Sequence, residues 1–86
     1  MGVRSQSIKE NTMCRSFIFL AEGFEEIEAI TVVDVLRRAG MDAKTVSITS
    51  DLNVTGAHGV TVAADMTMSE ADFSDAEWLI VPGGMP

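Results

Sequence analysis

An α/β fold with a mostly parallel sheet is what this sequence predicts, and three observations point to it. A continuously apolar run, Phe17-Ile18-Phe19-Leu20-Ala21, is followed at once by the only long helical pattern in the chain, over residues 24–38. A second strand-type run, residues 43–50 (AKTVSITS), comes one helix-length later, which makes the strand–helix–strand unit that a parallel pair requires. A third, residues 77–81 (EWLIV), runs straight into Pro82-Gly83-Gly84. In open α/β sheets the C-terminal ends of the strands carry the binding crevice, so turns placed there matter for function.

Taken in order, residues 1–14 open with MGVRSQSIKENT, which is polar and without periodicity and precedes a second methionine, Met13. A disordered tail, or a start codon placed too early, is expected there. The run from Phe17 to Ala21 reads as a strand buried on both faces, and Glu22-Gly23 breaks it. The helix that follows has Glu25, Glu26 and Glu28 early, Arg37 and Arg38 late, and Gly40 just past its end. That order complements the helix dipole and supplies a residue free to take positive φ at the stop.

Successive helical residues turn by roughly 100°, so positions 28, 32, 35, 36 and 39 share one side. Four are apolar, Val32, Val35, Leu36 and Ala39, and the fifth is Glu28. A carboxylate in line with an apolar stripe must be capped, partnered or protonated, because an unpaired buried charge is costly. Glu28 is therefore one candidate for a functional carboxylate. The plainer reading is that it swings to the edge of the stripe and only favours the positive helix N-terminus. A second apolar set, Ile27, Ile30 and Val33, points elsewhere, as in a helix sandwiched between its sheet and a partner subunit.

The crossover to residues 43–50 is expected to be right-handed. Residues 51–65 (DLNVTGAHGVTVAAD) hold two short β-prone runs around Gly56-Ala57-His58-Gly59, a hairpin with His58 as a solvated turn residue at its tip. Within residues 67–75, Ser69-Glu70-Ala71-Asp72 is a capping pattern that predicts one or two helical turns. Gly83 and Gly84, after the last strand, would let backbone N–H groups approach an anion or a developing oxyanion closely.

Eighty-six residues make one domain at most, and 47% apolar with 22% charged composition belongs to a globular chain. A net charge of -7 argues against nucleic acid and anionic lipid as partners. No apolar run approaches the roughly 20 residues needed to span a bilayer, and no signal peptide is evident, so a cytoplasmic location is the expectation. Cys14 is the one cysteine, which forbids an intramolecular disulfide and a thiolate metal cluster; it reads as an incidental thiol. His58 is the one histidine, and the acidic residues lack the ligand spacing of a calcium loop, so no metal site is expected.

The order FLAEGFEEIEAITVVDVLRRAG, then VTGAHGVTVAAD, then WLIVPGGMP resembles the first half of the ThiJ/PfpI superfamily, in the branch that includes the parkinsonism-associated deglycase. The resemblance covers residues 15–86. It implies a flavodoxin-like fold of the class I glutamine amidotransferase type, a mostly parallel sheet with flanking helices, here ending after the strand that leads into PGG. It implies a homodimer and a nucleophilic cysteine on a strand-to-helix elbow downstream of Pro86. A glutamate at the position of Glu28 is the cysteine's acid/base partner in such proteins. The glycines at Gly83 and Gly84 border the pocket as backbone donors, and no organic cofactor or metal is used. Where relatives often place an arginine, this chain has His58.

The reading that follows is the N-terminal part of a deglycase or glyoxalase-like protein acting on small oxoaldehydes or their glycated adducts. The 86 residues alone are expected to be inactive, since Cys14 does not match the nucleophile. Two alternatives remain: a non-enzymatic stress-response chaperone or dimerisation module, and an amidotransferase or peptidase relative on the same architecture.

Overall fold

The computed structural model describes residues 15–83. Cys14 and Gly84 lie outside the described residues. The first strand, β1 (Arg15–Leu20), leads through a turn to helix α1 (Glu26–Arg38) and then to β2 (Asp42–Ser47). A hairpin of β3 (Asn53–Thr55) and β4 (Thr61–Ala63) follows, then a two-residue strand β5 (Met66–Thr67) and finally β6 (Trp78–Ile80). Four strands form one sheet in the order β5-β2-β1-β6, every neighbour parallel, and β3 and β4 form a separate antiparallel pair. This is the flavodoxin-like arrangement the sequence led us to expect.

The first strand is central because its side chains suit burial on both faces. It pairs with β2 over its whole length, from Arg15 opposite Asp42 to Leu20 opposite Ser47, and with β6 at Ser16, Phe17 and Ile18. Side chains alternate across a strand, so Ile18 and Leu20 reach one face and Phe17 and Phe19 the other. Ile18 and Leu20 join Phe24, Ala29, Val33, Ala43, Val54 and Ala64 in the core beneath α1. On the opposite face, Phe73 packs its ring edge-on to Phe17 at 4.8 Å between centroids and against Phe19 at 5.6 Å.

The helix begins two residues later than its composition suggests. Phe24 is buried in the core and sits in the turn, closed by a 3.0 Å bond from its N–H to the Ala21 carbonyl, with Gly23 at a φ of 85°. At the other end Gly40 takes φ 84°, its N–H meets the Arg37 carbonyl, and the Met41 N–H meets the Leu36 carbonyl, both at 3.0 Å. That pair of bonds is a Schellman stop, and it satisfies carbonyls the helix end would otherwise leave open.

Two expectations need correction. Past Thr67, which ends β5, residues 68–75 form turns and irregular chain, not helix. The Glu70 carboxylate does reach back to the Thr67 N–H at 3.0 Å, as a capping pattern asks, but no second turn of helix follows, and residues 71–77 instead carry Phe73 across the sheet. The buried stripe of α1 also lies elsewhere: Glu26, Ala29 and Val33 face the core, with Val32 and Leu36 partly covered, while Val35 and Ala39 are exposed. Positions 26, 29, 33 and 36 fall on one helix face as well as 28, 32, 35 and 39 do, and the sheet selected the first set. Among the described residues, no helix is long and apolar enough to cross a membrane.

Candidate functional site

Because β1 and β6 are parallel neighbours, both their C-terminal corners open at the same end of the sheet. The Glu22–Glu25 corner and the Pro82–Gly83 corner are tied there by two reciprocal bonds. The Glu25 N–H donates to the Gly83 carbonyl at 2.8 Å, and the Gly83 N–H donates to Glu28 Oε1 at 2.9 Å. Glu25 is the extended residue preceding α1, so its N–H points out of the helix, and Glu28 stands one turn in, where its side chain reaches back. A Cβ on Gly83 would lie 2.8 Å from Glu28 Oε1, closer than real contacts allow, so glycine is what lets backbone and carboxylate meet.

Glu28 is thus partnered and exposed, not desolvated in the apolar stripe. It lies on a groove of about 440 Å³ between α1 and β6, whose walls include Ile27, Thr31, Val32, Ile80 and Val81. Gly83 also borders a second hollow of about 350 Å³ on the other side of the corner, lined by Phe19, Glu22, Phe24, Ile48 and Pro82 among others. The Gly83 N–H is engaged by Glu28 and does not point freely into either space, so an oxyanion would have to compete with that carboxylate for it. Gly84 falls outside the described residues.

The hairpin closes the same end of the sheet. Gly23 donates to the Thr55 carbonyl at 2.8 Å, Thr55 N–H to Glu22 Oε2 at 3.1 Å, and Ala57 N–H to the Phe24 carbonyl at 2.8 Å. The main fastening is Glu26, only 8% exposed. Its Oε2 accepts the backbone N–H groups of His58 at 2.8 Å and Val60 at 3.1 Å, and its Oε1 lies 2.9 Å from His58 Nδ1. Burial alone would raise this carboxyl, but the His58 ring and the backbone donors outweigh it and hold it at about 2. His58 is raised in turn, first by its bond to Glu26, then by the charges of Glu25 and Glu26, against the opposing effect of burial. Gly56 is required beside them: a Cβ there would sit 2.4 Å from Glu26 Cδ.

The sequence reading singled out Glu28 and left Glu26 as one acidic residue among several at the helix start. The 26, 29, 33, 36 spacing was the signal that could have found it, and so was a glycine-flanked histidine waiting for an anion. His58 is exposed at the tip as expected, yet it is held by its backbone and its ring.

A family model described as the DJ-1/PfpI family matches residues 15–86. The chain belongs to that family. Among curated DJ-1/PfpI relatives, protein DJ-1 homolog B of Arabidopsis thaliana is 36% identical over 67 residues, which is 78% of this chain and 15% of the plant protein. A Bacillus subtilis protein with a provisional cysteine-protease name is 33% identical over 78% of this chain and 40% of its own. Of solved DJ-1/PfpI structures, oxidized Toxoplasma gondii DJ-1 superposes with a TM-score of 0.81 at 34% identity, over 85% of this chain and 40% of the other. A cysteine-to-alanine variant of a Salmonella typhimurium DJ-1 superfamily protein gives 0.80 at 36%, covering 84% and 39%. The chain therefore spans two fifths or less of the length of these relatives.

Proposed function

We propose that residues 15–83 form the N-terminal part of a site that processes small oxoaldehydes, or their adducts on amines, through a cysteine supplied by polypeptide beyond these residues. One observation carries this reading: Glu28 Oε1 meets the Gly83 N–H at 2.9 Å on the groove between α1 and β6. A carboxyl group held by a backbone donor at the strand ends, with one oxygen still available, is placed to give and take a proton. In the proposed step a thiolate attacks the aldehyde carbon and the carbonyl oxygen gains a proton from Glu28; that carboxylate then removes the proton from the same carbon as the electron pair passes to the adjacent ketone, reprotonation of the neighbouring carbon gives a thioester, and water cleaves it to release the hydroxy acid and the thiol. No metal or organic cofactor is invoked. The relatives solved in an oxidized state and as a cysteine-to-alanine variant support a reactive thiol in the family.

The chain is further proposed to work as a homodimer. The outer face of α1 exposes Ile27 (74%), Ile30 and Val35, an apolar patch suited to a second copy. If that contact were the whole function, the carboxyl group would be dispensable. Replacing Glu28→Gln in a chain that joins these residues to a cysteine-bearing remainder separates the two readings. A proton-transfer role predicts loss of conversion of methylglyoxal to lactate by at least about a hundredfold, with the dimer retained. Unchanged turnover would remove Glu28 from the proton-transfer role, and absence of turnover in the unmutated joined chain would leave only the contact role.

A further inference from the structure

The single histidine and the two glutamates at the start of α1 form a cluster apart from the Glu28–Gly83 contact. The hairpin brings His58 back across 32 residues to Glu26, a meeting that sequence spacing does not reveal. His58 Nδ1 lies 2.9 Å from Glu26 Oε1 and 3.7 Å from Glu25 Oε1, and one ligand atom from each of the three residues falls within 4.8 Å of the others. We propose that Glu25, Glu26 and His58 bind a divalent cation of the zinc class through His58 Nδ1 and one oxygen of each carboxylate.

Ligand spacing supports this. Zinc holds imidazole nitrogen and carboxylate oxygen at about 2.0–2.2 Å, so two ligands at a tetrahedral angle sit about 3.3–3.6 Å apart. The two His58 pairs bracket that separation at 2.9 and 3.7 Å, and the two carboxylate oxygens, within 4.8 Å of each other, are brought together by rotation of Glu25, whose carboxylate accepts no hydrogen bond among the described residues. The outer shell is also in place. The His58 and Val60 amides hold Glu26 Oε2, which fixes the carboxylate and leaves Oε1 directed at the imidazole. The ion would take the place of the hydrogen shared between Oε1 and Nδ1.

Charge decides the sign of the cargo. The positive end of a helix counts for about half an elementary charge, and two carboxylates outweigh it. The His58 side chain is 69% exposed, which gives an entry path and room for water at the remaining coordination positions.

Because His58 is the only histidine, its ring signals in an NMR spectrum report on this cluster alone. The experiment titrates zinc chloride into the full chain carrying Cys14→Ser, which removes the one thiol. Saturable one-to-one movement of the His58 ring signals is expected, with a dissociation constant below about 100 µM. Glu25→Gln breaks no hydrogen bond of the hairpin; it should weaken binding at least about tenfold, in the range expected for loss of a metal-site partner, while the His58 and Val60 amide signals stay in place. Glu77→Gln, remote on the sheet edge, should leave binding unchanged. Movement only at millimolar zinc, or equal affinity in Glu25→Gln and the parent, would overturn the proposal.

Discussion

At the scale of single residues, the two glutamates of the first helical turn divide their labour by two positions of rotation. Glu26 points inward, where its Oε2 is held by hairpin amides; Glu28 points to the groove edge, where its Oε1 accepts the Gly83 N–H. Gly56 shows how tightly the first is packed. Its replacement by alanine puts a Cβ 2.4 Å from the Glu26 carboxyl carbon in a place where the side chain cannot swing out. Gly56→Ala is therefore expected to destabilise by about 1–3 kcal/mol, the usual cost of overpacking, and urea titration would show a lowered midpoint. Sequence inspection singled out Glu28, which the fold brings to the Gly83 corner, and passed over Glu26, whose 26, 29, 33, 36 spacing could be read but whose partner in the hairpin could not.

Elements are held together by a second polar junction, at Asp65 between the hairpin and β5. Its Oδ2 accepts the Thr45 N–H at 2.8 Å, the Thr45 hydroxyl at 3.0 Å and an Arg37 guanidinium N–H at 2.9 Å, so one carboxylate ties β2 to α1. Burial pushes this carboxyl up, but the two Thr45 bonds and the charges of Arg37 and Lys44 more than offset it and leave it below the ordinary value of 3.8. A folded-state value below the unfolded one means the unfolded chain binds more protons in that window. The contribution is whole above about pH 4 and disappears as pH falls through the folded value. Asp65→Asn should accordingly melt lower at neutral pH and lose less on acidification than the parent, as thermal melts at pH 7 and pH 3 would show. Parallel slopes in the two proteins would contradict it.

The same scale explains what was legible in the chain. β1, β2, the hairpin and β6 could be read because apolar runs bounded by glycine, proline and acidic residues have few other uses. The rotation of α1 could not, since Val32, Val33, Val35 and Leu36 supply two overlapping stripes and only packing against Ile18 and Leu20 chooses between them. The segment after β5 was misread for a related reason. Its capping bond formed, but the sheet face drew Phe73 onto Phe17 and Phe19 before a helix could continue.

For the whole molecule, the outer strand β6 has no neighbour on its far side among the described residues, and Trp78 (59%), Leu79 and Val81 (78%) stand exposed along it. With the apolar face of α1, that is more uncovered apolar surface than a monomer usually carries, next to an open strand edge. The isolated 86-residue chain should self-associate, which sedimentation at several concentrations would detect. Its single tryptophan, Trp78, should be quenched readily by iodide under conditions that keep the chain dispersed. A monodisperse monomer with a shielded tryptophan would show that this edge is covered in a way the fold does not suggest.

That contact is best tested by the amide of Gly83. Hydrogen exchange followed by NMR in the parent and in Glu28→Ala isolates the one bond on which the site rests. Loss of the acceptor should speed Gly83 exchange by about three- to tenfold, the equivalent of about 0.6–1.4 kcal/mol for a partly exposed hydrogen bond, with the amides of His58 and Val60 unaffected. Identical Gly83 exchange in both proteins would mean that the glutamate and the corner do not meet in solution.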